Sequence, residues 1–276
     1  MKTLRLFRRD LRLGLVDKWY IYLLPAVFAI SQVVRCHTTM LGMKDFGSVE
    51  LNGTVMDYIL YSMQGMEVYN FDPRNPFIVP IYWFVFQIGA AYMMAYYSYD
   101  DLAVHGRLIF LSSRDRGAWW RSKCLWCITG IIVYFAVAYV IIAVGALSMG
   151  ADSSMCMSRS FISSLFGVNA AALSVSEQIL LACILPTAIT IAVSMLQVLM
   201  SFVLTPVISF SCVCAVYVVS AYYTKWYAWG SYTMWLRSSY VTDEGVYPWG
   251  GILTSIIICI LVGFAGRMYF SNKDIY

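Results

Sequence analysis

The chain has 276 residues, of which 61% are hydrophobic and 12% charged, with a mean hydropathy of +0.69 and a formal net charge of +4. Soluble domains carry about twice that charged fraction, so an ordinary water-soluble globular domain is excluded. No G-x-x-x-x-G-K-[ST] phosphate loop occurs, and no polar segment is long enough for a nucleotide-binding domain, so ATP is not bound by that route.

The first 17 residues interleave Lys2, Arg5, Arg8, Arg9 and Arg12 with leucines and Phe7. Leu4, Phe7, Leu11 and Leu15 fall on one helical stripe, with the arginines mostly off it. This predicts an interfacial amphipathic helix over 1–17 rather than a cleavable signal; a basic anchor without defined helix is the plainer reading. Six apolar stretches without Asp, Glu, Lys or Arg follow: Trp19–Val34, Phe77–Tyr97, Cys124–Leu147, Gln178–Met200, Phe202–Tyr222 and Gly251–Gly266. Most reach the roughly 20 residues that cross a bilayer. The expected fold is therefore an all-α integral membrane protein, a single domain over 1–276 with six transmembrane helices. Pro186 and Pro206 should kink or end helices.

Lys and Arg concentrate in Met1–Lys18, Ser98–Lys123 and the tail from Arg267. The positive-inside rule places these segments, and with them both termini, in the cytoplasm. Residues 223–250, rich in Trp and Tyr, are then an external aromatic loop or a re-entrant segment. The eight cysteines show no metal pattern and read as small packing residues. His37 and His105 lie in different loops, so a shared site is not expected. No metal or cofactor is expected on this chain.

The segment 98–123 is more than a charged linker. Asp100 and Asp101 open it, Arg107 to Phe110 form a mostly apolar run, Arg114, Asp115 and Arg116 follow, then Trp119 and Trp120, with Lys123 at the membrane edge. A solvated loop needs no such anchors. A short amphipathic helix docking into a partner's groove does, and a helix lying in the lipid headgroups is the alternative.

The string Tyr97-Ser-Tyr-Asp-Asp-Leu, with Gly106-Arg-Leu-Ile-Phe-Leu-Ser-Ser-Arg-Asp-Arg-Gly-Ala-Trp-Trp-Arg-Ser-Lys, resembles the cytoplasmic loop of ABC-2-type ABC transporter permeases of Gram-positive bacteria. The tail from Arg267 to Ile275 is similar to the Phe … Lys-Asp-Ile ending of those permeases, and the basic N-terminal helix and six-span layout fit as well. Within the family the chain looks most like small exporters of amphipathic peptides, such as phenol-soluble modulin or bacteriocin exporters. The resemblance implies a cytoplasmic-membrane permease, not itself an enzyme, paired as a homodimer. Two separately encoded ATPase subunits would bind ATP and magnesium, and 98–123 would be the coupling element that contacts them through Asp101, Arg107, Phe110, Arg114, Asp115, Arg116 and Trp119. The expected partners are that ATPase, a second permease copy, membrane lipids and an amphipathic peptide, with no nucleic acid. The external loops are shorter than those of large ABC-2 exporters.

An intramembrane protease would need ionisable or His residues in the spans, which carry none. A channel with an uncharged pore, or an immunity protein not driven by ATP, remains as the alternative. Gln87, Thr187, Thr190, Ser194 and Gln197 are candidates for a translocation path, since the last four recur at three- or four-residue steps on one side of a helix. Helix–helix packing by small polar residues is the competing reading.

Overall fold

The computed structural model describes residues 2–45, 53–71, 74, 76–102, 116–166 and 173–272. Helix dominates and no strand occurs among these residues; two isolated bridges join Thr54 to Asp152 and Ser238 to Val246. The helices are α1 (Lys2–Leu11), α2 (Leu23–Asp45), α3 (Val55–Ser62), α4 (Ile81–Ala95), α5 (Arg116–Ser148), α6 (Arg159–Phe166), α7 (Val175–Val203), α8 (Pro206–Tyr222) and α9 (Pro248–Asn272). The helix over 97–102 continues α4 after a bend at Tyr96.

Four helical segments are long and apolar enough to cross a membrane: Trp19–Lys44, Arg116–Ser148, Val175–Val203 and Pro248–Ser271. The chain is thus an all-α protein with membrane-length helices. In hydrocarbon the backbone must satisfy its own polar groups, which a helix does within one segment. α4 and α8, expected as spans, have 15 and 17 residues and fall short of that length. The first span differs from expectation in the other direction. The helix does not stop near Val34 but runs on through Arg35, His37 and Lys44, because nothing in that stretch breaks it.

α7 sits at the centre, with 61% of its apolar window buried against 22% for α9, and packs on α4, α5, α8 and α9. Its course shows how Pro186 is accommodated. The preceding residues Leu180–Ile184 form a π-turn, and Pro186 has no N–H for the carbonyl of Ala182. The Tyr139 hydroxyl of α5 donates to that carbonyl at 2.9 Å. α7 ends at Val203, and Thr205 caps α8 by accepting from the Ile208 N–H, with Pro206 in the first turn of the helix. Gly150, at φ +85, closes α5.

The bundle has two chemically different ends. α1, the start of α5 and the end of α9 meet at the basic end. The opposite, aromatic end is closed by α3 and by 229–237, which packs against α7 and α8. Of the aromatic residues of 223–250, Trp226, Tyr227, Tyr247 and Trp249 are exposed, whereas Tyr232 and Trp235 are buried. Trp235 donates to the Leu60 carbonyl at 2.7 Å. The segment is therefore partly core and only partly an exposed aromatic loop.

Candidate functional site: the charged base of the 98–123 segment

α1 turns Asp10 inward, toward α5 and the helix over 97–102. Asp10 is 1% exposed and accepts from Lys123 Nζ at 2.8 Å, from the Tyr97 hydroxyl at 3.0 Å and from the Ser122 hydroxyl. Lys123 is wholly buried and also lies 2.7 Å from Asp101 Oδ2, and Asp101 pairs in turn with Arg9. The ammonium of Lys123 faces the Tyr97 ring at 4.6 Å and the Trp119 ring at 5.4 Å. Among the described residues, two cations and two carboxylates thus balance in this network. That balance is what makes burial tolerable, since an unpaired charge there would be very costly.

The network joins residues before and after 103–115: Asp101 stands on one side of that segment and Lys123 on the other, with α1 clamped to both. Below Lys123 an aromatic cluster continues the support. Trp119 packs against Phe270 at 5.0 Å and Phe202 at 5.7 Å, and Trp120 against Phe270 at 5.4 Å. Trp120 also donates to the Gly263 carbonyl at 3.1 Å. Gly266 allows this contact, because a Cβ there would meet the Trp120 ring at 2.1 Å. Phe202 belongs to the end of α7 and Phe270 to the end of α9, so the start of α5 is tied to both.

Of the residues expected to contact an ATPase, Arg107, Phe110, Arg114 and Asp115 lie outside the described residues. Asp101 and Trp119 are 5% and 1% exposed, packed into the chain. Arg116 is half-buried, with a guanidinium N–H 3.5 Å from the Phe270 carbonyl. The path candidates do come together. Thr190 donates to Gln87 Oε1 at 2.9 Å, and Gln197 Nε2 donates to the Ala91 carbonyl at 2.9 Å, so these residues and Ser194 form a buried seam between α4 and α7. Thr187 is half-buried and bonds back to the Cys183 carbonyl. Gln87 Nε2 and Gln197 Oε1 have no hydrogen-bond partner among the described residues. The seam is closed, packed and incompletely satisfied.

Sequence reasoning missed Asp10, Asp57 and Arg237. Asp57 is buried at the aromatic end, accepts from the Thr54 and Ser158 N–H groups at 2.9 and 2.8 Å, and completes a capping box on α3. Burial pushes its pKa up from the ordinary 3.8 to about 6, the backbone donors partly opposing. Arg237 is wholly buried among carbonyls: Ser220, Ala221, Met66 and Glu67 accept from it at 2.6 to 3.1 Å. It caps the last turn of α8, where the helix dipole favours a cation. Burial lowers its pKa to about 10, leaving it charged at neutral pH. No group of three or more His, Cys, Asp or Glu residues suited to a metal occurs among the described residues.

Comparison with protein-family models, curated proteins and solved structures gives no match.

Proposed function

We propose that this chain is the membrane-spanning permease subunit of an ATP-driven ABC-2-type exporter, with amphipathic peptides as its substrate class. The observation that carries this reading is the buried Arg9–Asp101–Lys123–Asp10 network. A coupling segment must pass the motion of a soluble ATPase to the spans, and it can do so only if its ends are fixed rigidly to several helices. Here the residues before and after 103–115 are fixed to α1 and α5, and through Trp119 and Trp120 to α7 and α9. The loop's resemblance to ABC-2 permeases gives the identity of the partner, and the absence of a phosphate loop agrees with a separate ATPase.

In this reading α4 and α8 also cross, making six spans. At about 1.5 Å per residue they are roughly 22 and 26 Å long, and α4 gains length from 77–80 and 97–102. α4 packs on the membrane-length helices α2, α5 and α7, and α8 packs on α7 and α4, which favours the same depth. The basic end faces the cytoplasm, and two copies of the chain pair. The Gln87–Thr190–Gln197 seam is the place where α4 and α7 separate during transport, because its unpaired amide groups make closure less costly to undo.

The decisive experiment is purification of the tagged chain from its own membrane. An ATPase carrying a phosphate loop should copurify, and its hydrolysis should respond to amphipathic peptides. A preparation that lacks any ATPase yet passes ions or small solutes in liposomes overturns the reading in favour of an uncharged pore.

A further inference from the structure

α2 and α4 diverge along a groove that changes character along its length. Its lower part, of about 470 Å³, is lined by Leu24, Val27, Phe28 and Val85 with almost no polar surface. At the aromatic end it meets a polar cavity of about 200 Å³, with Ile81 and Tyr82 common to both. Gln32 and Arg35 line that cavity. The Arg35 guanidinium is stacked 3.8 Å from the centroid of Tyr82, an arrangement that leaves its N–H edge available. No carboxylate among the described residues lies within ion-pair distance of Arg35. Gln32 is 1% exposed and lines the same cavity. A cation with no carboxylate in reach among the described residues and a glutamine side chain therefore share one cavity at the head of an apolar groove.

We propose that this groove binds one phospholipid with an anionic headgroup, the phosphate at Arg35 and Gln32 and one acyl chain along Leu24, Val27 and Val85. The dimensions favour a lipid over a peptide. From Arg35 down to Leu24, α2 runs about 17 Å, close to half of the roughly 30 Å hydrocarbon core, which is the reach of a single leaflet. Arg presents a planar fork that matches phosphate geometry, and the Gln32 amide supplies a further donor. The apolar wall is outward-facing, with Val27 65% and Val85 49% exposed, so a lipid enters sideways from the bilayer. The inference needs only that α2 and α4 lie in a membrane; it does not depend on the ATPase partner.

The test is native mass spectrometry of the full chain, with whatever subunits copurify, after delipidation and titration with phosphatidylglycerol or with diacylglycerol, which has the same acyl chains and no phosphate. The wild type should bind one phosphatidylglycerol at least about tenfold more tightly than diacylglycerol, the scale of a charge-assisted hydrogen bond. Arg35→Gln should abolish that preference while leaving diacylglycerol binding unchanged, which also reports that the variant is folded. Inorganic phosphate at millimolar concentration should not compete, because it lacks the acyl chain; effective competition would make this a free-anion site and overturn the lipid assignment. A photo-reactive benzoylphenylalanine at position 27 should capture lipid in membranes. Capture of a second copy or of a peptide instead, equal affinity for the two lipids in the wild type, or an intact preference in Arg35→Gln would each overturn the proposal.

Discussion

Lys123 and Asp10 are separated by 113 positions in sequence yet form a wholly buried ion pair at 2.8 Å. Lys123 also serves Asp101, so its loss leaves two carboxylates without their shared, wholly buried cation, while Arg9, which pairs with Asp101, is 29% exposed at its side chain. Lys123→Met should therefore cost about 3–5 kcal/mol, the penalty for stranding a buried charge. Asp10→Asn should cost less, because Asp101 still neutralises Lys123. A double variant, Lys123→Met with Asp10→Asn, should recover part of the loss. Thermal unfolding in detergent checks the order; equal melting for all variants would mean that the network carries no stability.

Trp119 and the 103–115 segment should separate in their effects. Trp119 fills space between Phe202 and Phe270, so Trp119→Ala should lower stability by about 3–5 kcal/mol through a cavity. Arg114→Glu should leave the melting temperature unchanged and weaken ATPase copurification and peptide-stimulated hydrolysis. If Arg114→Glu has no effect on the complex, 103–115 is a membrane-surface element and the coupling role is lost.

The apolar runs read the helices of the bundle because hydrophobic length is a local property. Pro186 and Pro206 marked the π-turn within α7 and the turn after it for the same reason. What stayed hidden was pairing between distant residues. Asp10 stood among four arginines and read as part of a basic surface helix, since nothing local says that α1 turns it toward Lys123. Trp119 and Trp120 read as partner anchors because aromatic anchors and aromatic core look identical in one dimension; their packing on Phe202 and Phe270 needed the structure. Asp57 did carry a local signal, Thr54-x-x-Asp57 before an apolar run, a capping box legible without coordinates. The polar seam of α4 and α7 was visible as a helical periodicity, though its packed state needed the structure.

Tyr139 and Pro186 make a compensating pair. Tyr139→Phe should leave the Ala182 carbonyl unsatisfied in an apolar setting, at about 1–3 kcal/mol. In that background Pro186→Ala supplies a backbone N–H one turn after Ala182 and should restore most of the loss. A double-mutant cycle measured by thermal unfolding checks this, and strictly additive effects would mean that the Tyr139 hydroxyl does not serve this carbonyl.

The aromatic end should respond to acid through Asp57. Its folded pKa, about 6, lies above the unfolded value near 3.8, so the folded state holds the proton more tightly. The stabilising contribution is present in full below pH 4 and is lost as pH rises through 6, with a total of roughly 1–3 kcal/mol. Hydrogen exchange at α3 should therefore be slower at pH 5 than at pH 7, after correction for intrinsic rates. In Asp57→Asn the difference should vanish. Retention of the same pH dependence in that variant would assign it to another group.

Orientation can be read from one thiol. Cys156 is exposed in the connection between α5 and α6, whereas Cys36 and Cys127 are buried and the remaining cysteines lie in membrane-length or shorter apolar helices. Cys36, although close to the same end of the bundle, should thus be silent. An impermeant maleimide applied to intact cells should label the wild type and should fail on Cys156→Ser. A cysteine introduced as Ser112→Cys in that Cys156→Ser background should react only after the membrane is opened, because Asp101 and Lys123, which stand before and after 103–115, belong to the basic end. Labelling of position 112 in sealed cells, with Cys156 protected, would invert the protein in the membrane. The basic end would then face away from any cytoplasmic ATPase, and the exporter reading would fall with it.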